Sequence, residues 1–395
     1  MKVLAIHNYY RSGMPSGENT SFEAERHLLA RAGDEVVSYT RHSDEISGWP
    51  AAKRMALAFD TVWSRKTGRD VARLIAREQP DVAHVQNTFP LISVSAIAAC
   101  RKAGLPVVQS LRNYRLVCPG ALLARGGKPC ERCLGWCPAL PGVMRGCYRN
   151  SRALTAVVAA SAAVQWAMQR RDQAADLYVC ATEFARRRFM EAGLPGEKIV
   201  VKPNFVEPDP GTAPSAGEGA IFIGRLSEEK GAGTLVEAWK RLDGIPLTVV
   251  GGGPLLDNLR ARANASAGIR FAGPLGREDA TELLRRARLL IFPSECYETF
   301  GRVAAEAFAC GVPVIASRLG VMAEVVEHGR TGLHFTPGDP EDLAAKVRWA
   351  WSRPAEVDRM RREARAEYEA RYTGARNYTM LKEIYRQASA VRKVA

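Results

Sequence analysis

The sequence predicts an α/β protein built of two doubly wound parallel sheets, each with helices on both faces. Three observations lead there. The chain has 395 residues, long for a single core, so two domains are expected. Short apolar runs alternate with longer amphipathic stretches, the strand–helix–strand rhythm of parallel sheets. One stretch, "EPDPGTAPSAGEG" at 207–219, is rich in Pro, Gly, Ala and Ser and lacks apolar periodicity; after it the alternation starts again. The expected organisation is a first domain over 1–206, a linker over 207–219 and a second domain over 220–375. The stretch from about Ala355 to Val394 is charged and helical in pattern, and a C-terminal helix over 376–395 is expected to pack back on the first domain.

In the first half "KVLAI", "DEVVSYT", "DVAHVQ" and "PVVQSL" read as strands. Helices lie between them, such as "TSFEAERHLLARAG", closed by Gly33, and "SVSAIAACRKAG", closed by Gly104. "PDVAHVQ" and "GLPVVQS" fit strands buried on both faces. In the second half the strands are "AIFIGRL", "PLTVVGGG", "IRFAGPL", "LLIFPS" and "PVIAS", each pair separated by a helix. Ligands of open parallel sheets sit outside the carboxyl ends of the strands. Two such domains facing each other across a cleft place their loops around one ligand, so the chemistry is sought in loops that follow strands.

Composition is that of a soluble globular protein, 47% hydrophobic and 25% charged. No apolar run reaches the ~18 residues of a membrane span. "MKVLAIHNYY" is too short in apolar residues for a secretory signal and reads as a first strand. The nine cysteines are therefore expected in a reducing cytosol rather than in a disulfide framework. The net charge of +14 is uneven: residues 1–200 hold 28 Lys or Arg against 17 Asp or Glu, and the rest 28 against 25. Residues 101–150 hold nine basic residues and one acid, Glu131. Such a surface suits an anionic partner (nucleic acid, acidic lipid or a phosphorylated substrate) or serves solubility alone. No zinc-finger, RNA-recognition or helix-turn-helix signature accompanies it, which disfavours nucleic acid.

Three loops carry candidate chemistry. In "ECYETFGRVAAEAFACGVPVIAS", residues 295–317, a helix from about Gly301 to Cys310 follows a strand, and Gly311 stops it. Its N-terminus offers free N–H groups and partial positive charge, suited to a phosphate. Glu298 and Glu306 flank that end and could grip hydroxyls on either side of the phosphate; alternatively Glu298 is a capping acid and Glu306 a surface charge. In "AIFIGRLSEEKG" Arg225 stands straight after a strand and Lys230 five residues on, two cations suited to a diphosphate. The third loop, "HNYYRSGMPSGENT", carries Gly13 and Gly17, which allow close backbone approach to a phosphate or sugar.

Taken together, E-x-F-G-x4-E-A, the strand followed by G-R-L-x3-K-G, and "VKPNFV" resemble family four of the retaining glycosyltransferases, over nearly the whole chain. "HVQNTFPLISVSAI" and "LRNYRLVCPGALLARGGKPCERCLG" resemble a bacterial polysaccharide-assembly subgroup. The resemblance implies the GT-B fold, two Rossmann-like domains facing across a cleft. It implies that Arg225 and Lys230 hold the diphosphate of a UDP- or GDP-sugar and that Glu306 binds the ribose hydroxyls. Glu298 would be the catalytic-site residue on the donor sugar, supported by backbone amides of Thr299, Phe300 and Gly301, with Gly17 approaching the donor. It implies retention, no metal at the donor site, a lipid-linked saccharide acceptor, and a cytoplasmic enzyme peripheral at the anionic inner-membrane face. Where many relatives carry His, this chain has Arg112, which stays protonated and cannot accept a hydrogen bond. Its expected role is contact with phosphate or an anionic acceptor, or a structural one. His7 and His84 read as strand-end or core residues. A GT-B epimerase or phosphorylase, and a catalytically silent scaffold, are the remaining alternatives; the intact motifs argue against them.

Five cysteines fall between 118 and 147. "CERC" supplies a C-x2-C pair, and Gly126 and Gly127 before it suit a tight knuckle. The basic, loop-like insertion over about 112–150 lacks an obvious core, so a structural zinc on Cys118, Cys130, Cys133 and Cys147, leaving Cys137 spare, could order it. The alternatives are reduced, partly buried thiols or disulfides formed on oxidation.

Overall fold

The structure, a computed structural model, describes residues 1–13, 16–135, 139–213, 217, 219–263 and 268–394. It divides into two compact units. The first comprises Met1–Leu123, Glu131–Lys202 and Tyr378–Ala395; the second comprises Ala124–Cys130 and Pro203–Asn377. The passage from one unit to the other thus falls at Lys202, ahead of the Pro- and Gly-rich stretch.

The strands of the first unit are β1 (Lys2–Tyr9), β2 (Glu35–His42), β3 (Val82–Asn87) and β4 (Val107–Ser110). After a small hairpin of β5 (Ala124–Arg125) and β6 (Lys128–Pro129) come β7 (Leu177–Cys180) and β8 (Ile199–Val201). The six form one parallel sheet in the order β2-β1-β3-β4-β7-β8. Every residue of β3, β4 and β7 is buried, as continuous apolar runs between two helical layers require. The last helix, Gly374–Val394, belongs to this layer. Its Leu381, Ile384, Tyr385 and Ala388 form one apolar stripe and are buried with Val3, Val82, Val108 and Val179. Lys382 Nζ reaches Asp34 at 2.6 Å, and the N-terminal ammonium reaches the same carboxylate at 2.8 Å.

The second unit repeats the plan with β9 (Ala220–Ile223), β10 (Leu247–Val250), β11 (Ile269–Gly273), β12 (Leu289–Phe292), β13 (Val314–Ser317) and β14 (Gly332–Phe335). Their order is β11-β10-β9-β12-β13-β14, again all parallel. Trp239, Leu235, Ile291, Phe335 and Val347 belong to its core. The chain order runs outward from β9 in both directions, so the topological switch lies between β9 and β12, where ligands of such sheets bind.

The first unit also buries a set of charges beneath the carboxyl ends of β1, β3 and β4. Glu25, on the helix Gly17–Arg31, receives Lys202 Nζ at 2.6 Å, Arg112 Nη2 at 2.8 Å and Gln86 Nε2 at 2.5 Å. Beside it His84 bonds the Tyr385 hydroxyl at 2.8 Å and Ser110 Oγ at 2.9 Å. Burial would raise the Glu25 carboxyl, but Arg112 and Lys202 overcome it and hold that carboxyl far below the usual range. Burial pushes His84 down to about 4, against the pull of Glu25 and aided by Arg112 and Lys202. His7, stacked on Phe22 and bonded to Asn19, is likewise pushed down by burial to about 4.

A histidine kept neutral in the fold but free to protonate when unfolded lends stability above its unfolded pKa and loses it as pH falls towards the folded value. The melting temperature should therefore drop between pH 6.5 and about 4, beyond what the carboxylates cause. Replacing both residues (His84→Gln, His7→Gln) should flatten that part of the curve. An unchanged slope in the double variant would contradict the assignment.

Candidate active site

The second unit brings most of the sequence-derived residues to one edge of its sheet. After β9 the chain runs through Gly224 and Arg225 into a short 3-10 turn, Glu228–Lys230. After β12 it runs from Pro293 to Gly301 and enters the helix Arg302–Ala309. The two loops are tied to each other: the Glu295 amide donates to the Glu229 carbonyl at 2.9 Å, and Thr234 Oγ1 donates to Glu295 Oε1 at 2.5 Å. They also touch at Gly231, where φ is +66° and a Cβ would stand 1.9 Å from the Pro293 carbonyl oxygen. Only glycine permits that approach.

At this junction Lys230 Nζ meets Glu298 Oε1 at 2.5 Å, and Ser294 Oγ donates to the same oxygen at 2.7 Å. The pair is half-buried. Burial works to lower the Lys230 pKa, Glu298 works to raise it, and the carboxylate prevails. Lys230 is thus a full cation whose ion pair is with Glu298. Arg225 stands exposed on the same loop. Thr299 and Phe300 lead to Gly301, which caps the helix Arg302–Ala309 without a side-chain bond. Phe300 is buried edge-on against Tyr372, with centroids 5.8 Å apart. Ala304, Ala305, Ala307 and Ala309 let this helix sink against the helix Pro354–Arg371. Glu306 lies one turn in and is bonded by Arg302 Nε at 2.9 Å.

Three residues here were missed in the sequence: Ser294, Arg302 and Tyr372. Arg302 was legible, because it stands four residues before Glu306 on a helix. Tyr372, some seventy residues from Phe300 in sequence, carries no local signal.

The remaining sequence-derived residues lie in the first unit. Gly17 opens the helix Gly17–Arg31 behind the N-cap Ser16, and a side chain there would meet nothing within 4 Å. The fold itself does not demand glycine at 17. Arg112 is largely buried, and its guanidinium is engaged by Glu25 and by Gln86 Oε1 at 3.2 Å, which gives it a structural task beside any contact with ligand.

The structure does not gather Cys118, Cys130, Cys133 and Cys147 into a metal-holding group; among the described residues no three His, Cys, Asp or Glu side chains are so arranged. Cys118 and Cys147 lie together near Gly120. Cys133 packs against Gly142, whose carbonyl accepts from the Cys147 amide at 3.1 Å, and Cys130 belongs to the second unit with the hairpin. Gly126 and Gly127, at φ +55° and +71°, form the two-residue turn of that hairpin rather than a knuckle. Burial pushes the Cys118 thiol up, which disfavours a thiolate. Cys100, Cys118, Cys130, Cys147, Cys180, Cys296 and Cys310 are in no disulfide, and Cys137 lies outside the described residues.

Comparison with known proteins bears on the fold and the family. Residues 17–210 match the sequence model of Glycosyltransferase Family 4, and residues 209–367 match that of Glycosyl transferases group 1. Glycogen synthase of Mycobacterium tuberculosis is 39% identical over 37% of this chain and 36% of its own length. The D-rhamnosyltransferase WbpZ of Pseudomonas aeruginosa is 34% identical over 39% and 41%, and the sulfoquinovosyl transferase SQD2 of Arabidopsis thaliana 26% identical over 84% and 63%. The matched part of this chain therefore spans between about a third and two thirds of the length of these curated relatives. Among solved structures, Anabaena Alr3699/HepE in complex with UDP-glucose superposes with a TM-score of 0.68 at 20% identity, over 97% of this chain and 98% of that one. Sucrose-phosphate synthase of Thermosynechococcus elongatus reaches 0.71 at 18% identity, over 98% and 99%. These likenesses establish the two-domain GT-B fold. With two adjoining matches that run from residue 17 to residue 367, the chain belongs to family 4 of the glycosyltransferases.

Proposed function

We propose that this protein is a retaining glycosyltransferase that moves a sugar from a nucleotide-diphosphate sugar to a lipid-linked saccharide during cell-surface polysaccharide synthesis. The observation that carries the reading is the meeting of Lys230, Glu298 and an uncapped helix start at the switch between β9 and β12. The C1–O bond of the donor breaks with its electron pair passing to the diphosphate. Arg225, Lys230 and the N–H groups at Gly301 stabilise that charge without a divalent ion. Glu298, released from Lys230 by the incoming diphosphate, orients a hydroxyl of the departing sugar. Attack from the face the leaving group vacates preserves the anomeric configuration and puts the acceptor hydroxyl beside the leaving phosphate oxygen, which takes its proton. Glu306 holds the ribose. UDP and UDP-glucose in the Anabaena relative support a nucleotide-linked donor.

A bilayer-bound acceptor suits one face of the first unit. Among the described residues no helix is long and apolar enough to cross a membrane. The helix Ala51–Val62 buries only Thr61, and it exposes Met55 by 72% and Phe59 by 81%. Met144, on the short helix Leu140–Met144, is 70% exposed. Both helices pack on the helix Arg152–Arg170. Exposed Lys53, Arg54, Arg145, Arg149 and Arg152 surround these apolar side chains, and Asp60 is the one acid of the helix Ala51–Val62. Apolar residues within a basic rim fit an anionic bilayer surface.

Two measurements test the reading. In a transfer assay, Glu306→Ala should weaken nucleotide binding, whereas Glu298→Ala should cut turnover while nucleoside diphosphate binds as well as before or better, since Lys230 is then unpaired. Arg225→Ala and Lys230→Ala should each cost about 1.5–3 kcal/mol of diphosphate affinity. Transfer should persist in EDTA. Wild-type turnover in a folded Glu298→Ala Glu306→Ala variant would refute the site. In the second, vesicles containing phosphatidylglycerol should bind the protein and phosphatidylcholine vesicles should not, and Met55→Ser with Phe59→Ser should abolish the binding. Equal binding to both lipids, or none lost in the variant, would reject the surface.

A further inference from the structure

In the first unit a cavity opens outside the carboxyl ends of β3 and β4. Gln86, Asn87, Gln109, Ser110, Arg112 and Arg115 are among its walls, and none of its described lining residues is Asp or Glu. Arg112 is engaged by Glu25 and Gln86. Arg115 is in a different state. Its guanidinium lies over the Phe89 ring at 4.2 Å and near the Tyr148 ring at 5.8 Å. Its Nε and Nη1 are buried and have no hydrogen-bond partner among the described residues. The Tyr10 hydroxyl hydrogen-bonds the Arg115 side chain, and burial keeps that hydroxyl neutral. Glu18, close by, accepts at Oε1 from neutral donors, the Tyr10 hydroxyl and Asn113 Nδ2, each at 2.9 Å, and its Oε2 is buried with no hydrogen-bond partner among the described residues.

A half-buried guanidinium with two buried nitrogens lacking partners is costly unless something supplies the missing acceptors. Aromatic faces offset part of its charge and accept no strong hydrogen bond. A neutral sugar hydroxyl would satisfy an N–H but bring no charge to the guanidinium. An oxyanion does both, and charge-assisted bonds to Arg are about twice as strong as neutral ones. The cavity's other walls offer amide and hydroxyl groups able to complete an oxyanion's shell.

We propose that the cavity beside Arg115 is an oxyanion subsite, filled by a phosphate or carboxylate group of the acceptor. The inference rests on the glycosyltransferase reading only for the owner of the anion; the subsite itself rests on Arg115 and the cavity. It lies outside the strand ends of the first sheet, whereas Arg225 and Lys230 belong to a loop of the second.

The test uses the full chain carrying Arg225→Ala and Lys230→Ala, so that an added anion cannot report the second-unit loop. Inorganic phosphate, glucuronate and neutral glucose are titrated at constant ionic strength and followed by calorimetry and melting temperature. Phosphate or glucuronate should bind, and whichever binds tells a phosphate-bearing acceptor from a uronate-bearing one. Adding Arg115→Met should weaken that anion at least about tenfold, and Arg115→Lys should restore part of the loss. Circular dichroism checks that both variants fold. Glucose binding as tightly as the anions, no anion binding at all, or undiminished binding in Arg115→Met would each overturn the subsite. UDP binding to the chain without these substitutions reports the second unit independently. Its absence alongside a working anion subsite would count against the transferase reading and not against the subsite.

Discussion

The position of β9 between β10 and β12 is the constraint on which the site depends. Because the strands are parallel, all their carboxyl ends lie along one edge, and because chain order reverses at β9, the loops after β9 and β12 part from a common point. One loop carries Arg225 and Lys230, the other Glu298 and the start of the helix Arg302–Ala309. Local features then hold these loops together: a backbone hydrogen bond from Glu295 to Glu229 and a glycine contact too close for any other residue.

The electrostatics of the junction follow from that placement. Before a ligand arrives, Lys230 and Glu298 neutralise each other in a half-buried setting. Removing one partner of such a pair leaves an uncompensated charge, and an anionic ligand can exploit that imbalance. A diphosphate competing for Lys230 displaces the carboxylate and frees it for a hydroxyl. Donor binding and donor-sugar positioning thereby become one event. The first unit uses charge differently. Glu25, Arg112 and Lys202 form a buried cluster with internal partners for each member, suited to holding strand ends in place.

Much of this was legible in the sequence, for physical reasons. Buried parallel strands must be apolar on both faces, so β3, β4 and β12 announced themselves as runs, and the loops after them followed. Glu298 and Glu306 could be placed because a helix start between them was marked by Gly301 and its stop by Gly311. Contacts far apart in sequence were hidden. Nothing around Glu25 signals that Lys202, 177 residues on, is its counter-ion, and nothing around Phe300 signals Tyr372. The cysteines misled for a related reason. C-x2-C spacing is local, whereas a four-ligand site needs distant stretches of chain brought to one point, and Cys130 is grouped with the hairpin in the second unit while Cys118, Cys133 and Cys147 belong to the first. The glycines before that pair serve a hairpin turn.

The most direct measurement is a crystal structure of the protein with a nucleoside diphosphate bound. The account predicts a diphosphate lying against Lys230, Arg225 and the backbone N–H groups at Thr299 to Gly301, with the ribose on Glu306 and the Lys230–Glu298 contact broken. A diphosphate bound away from the β9–β12 junction, with that ion pair intact, would contradict it.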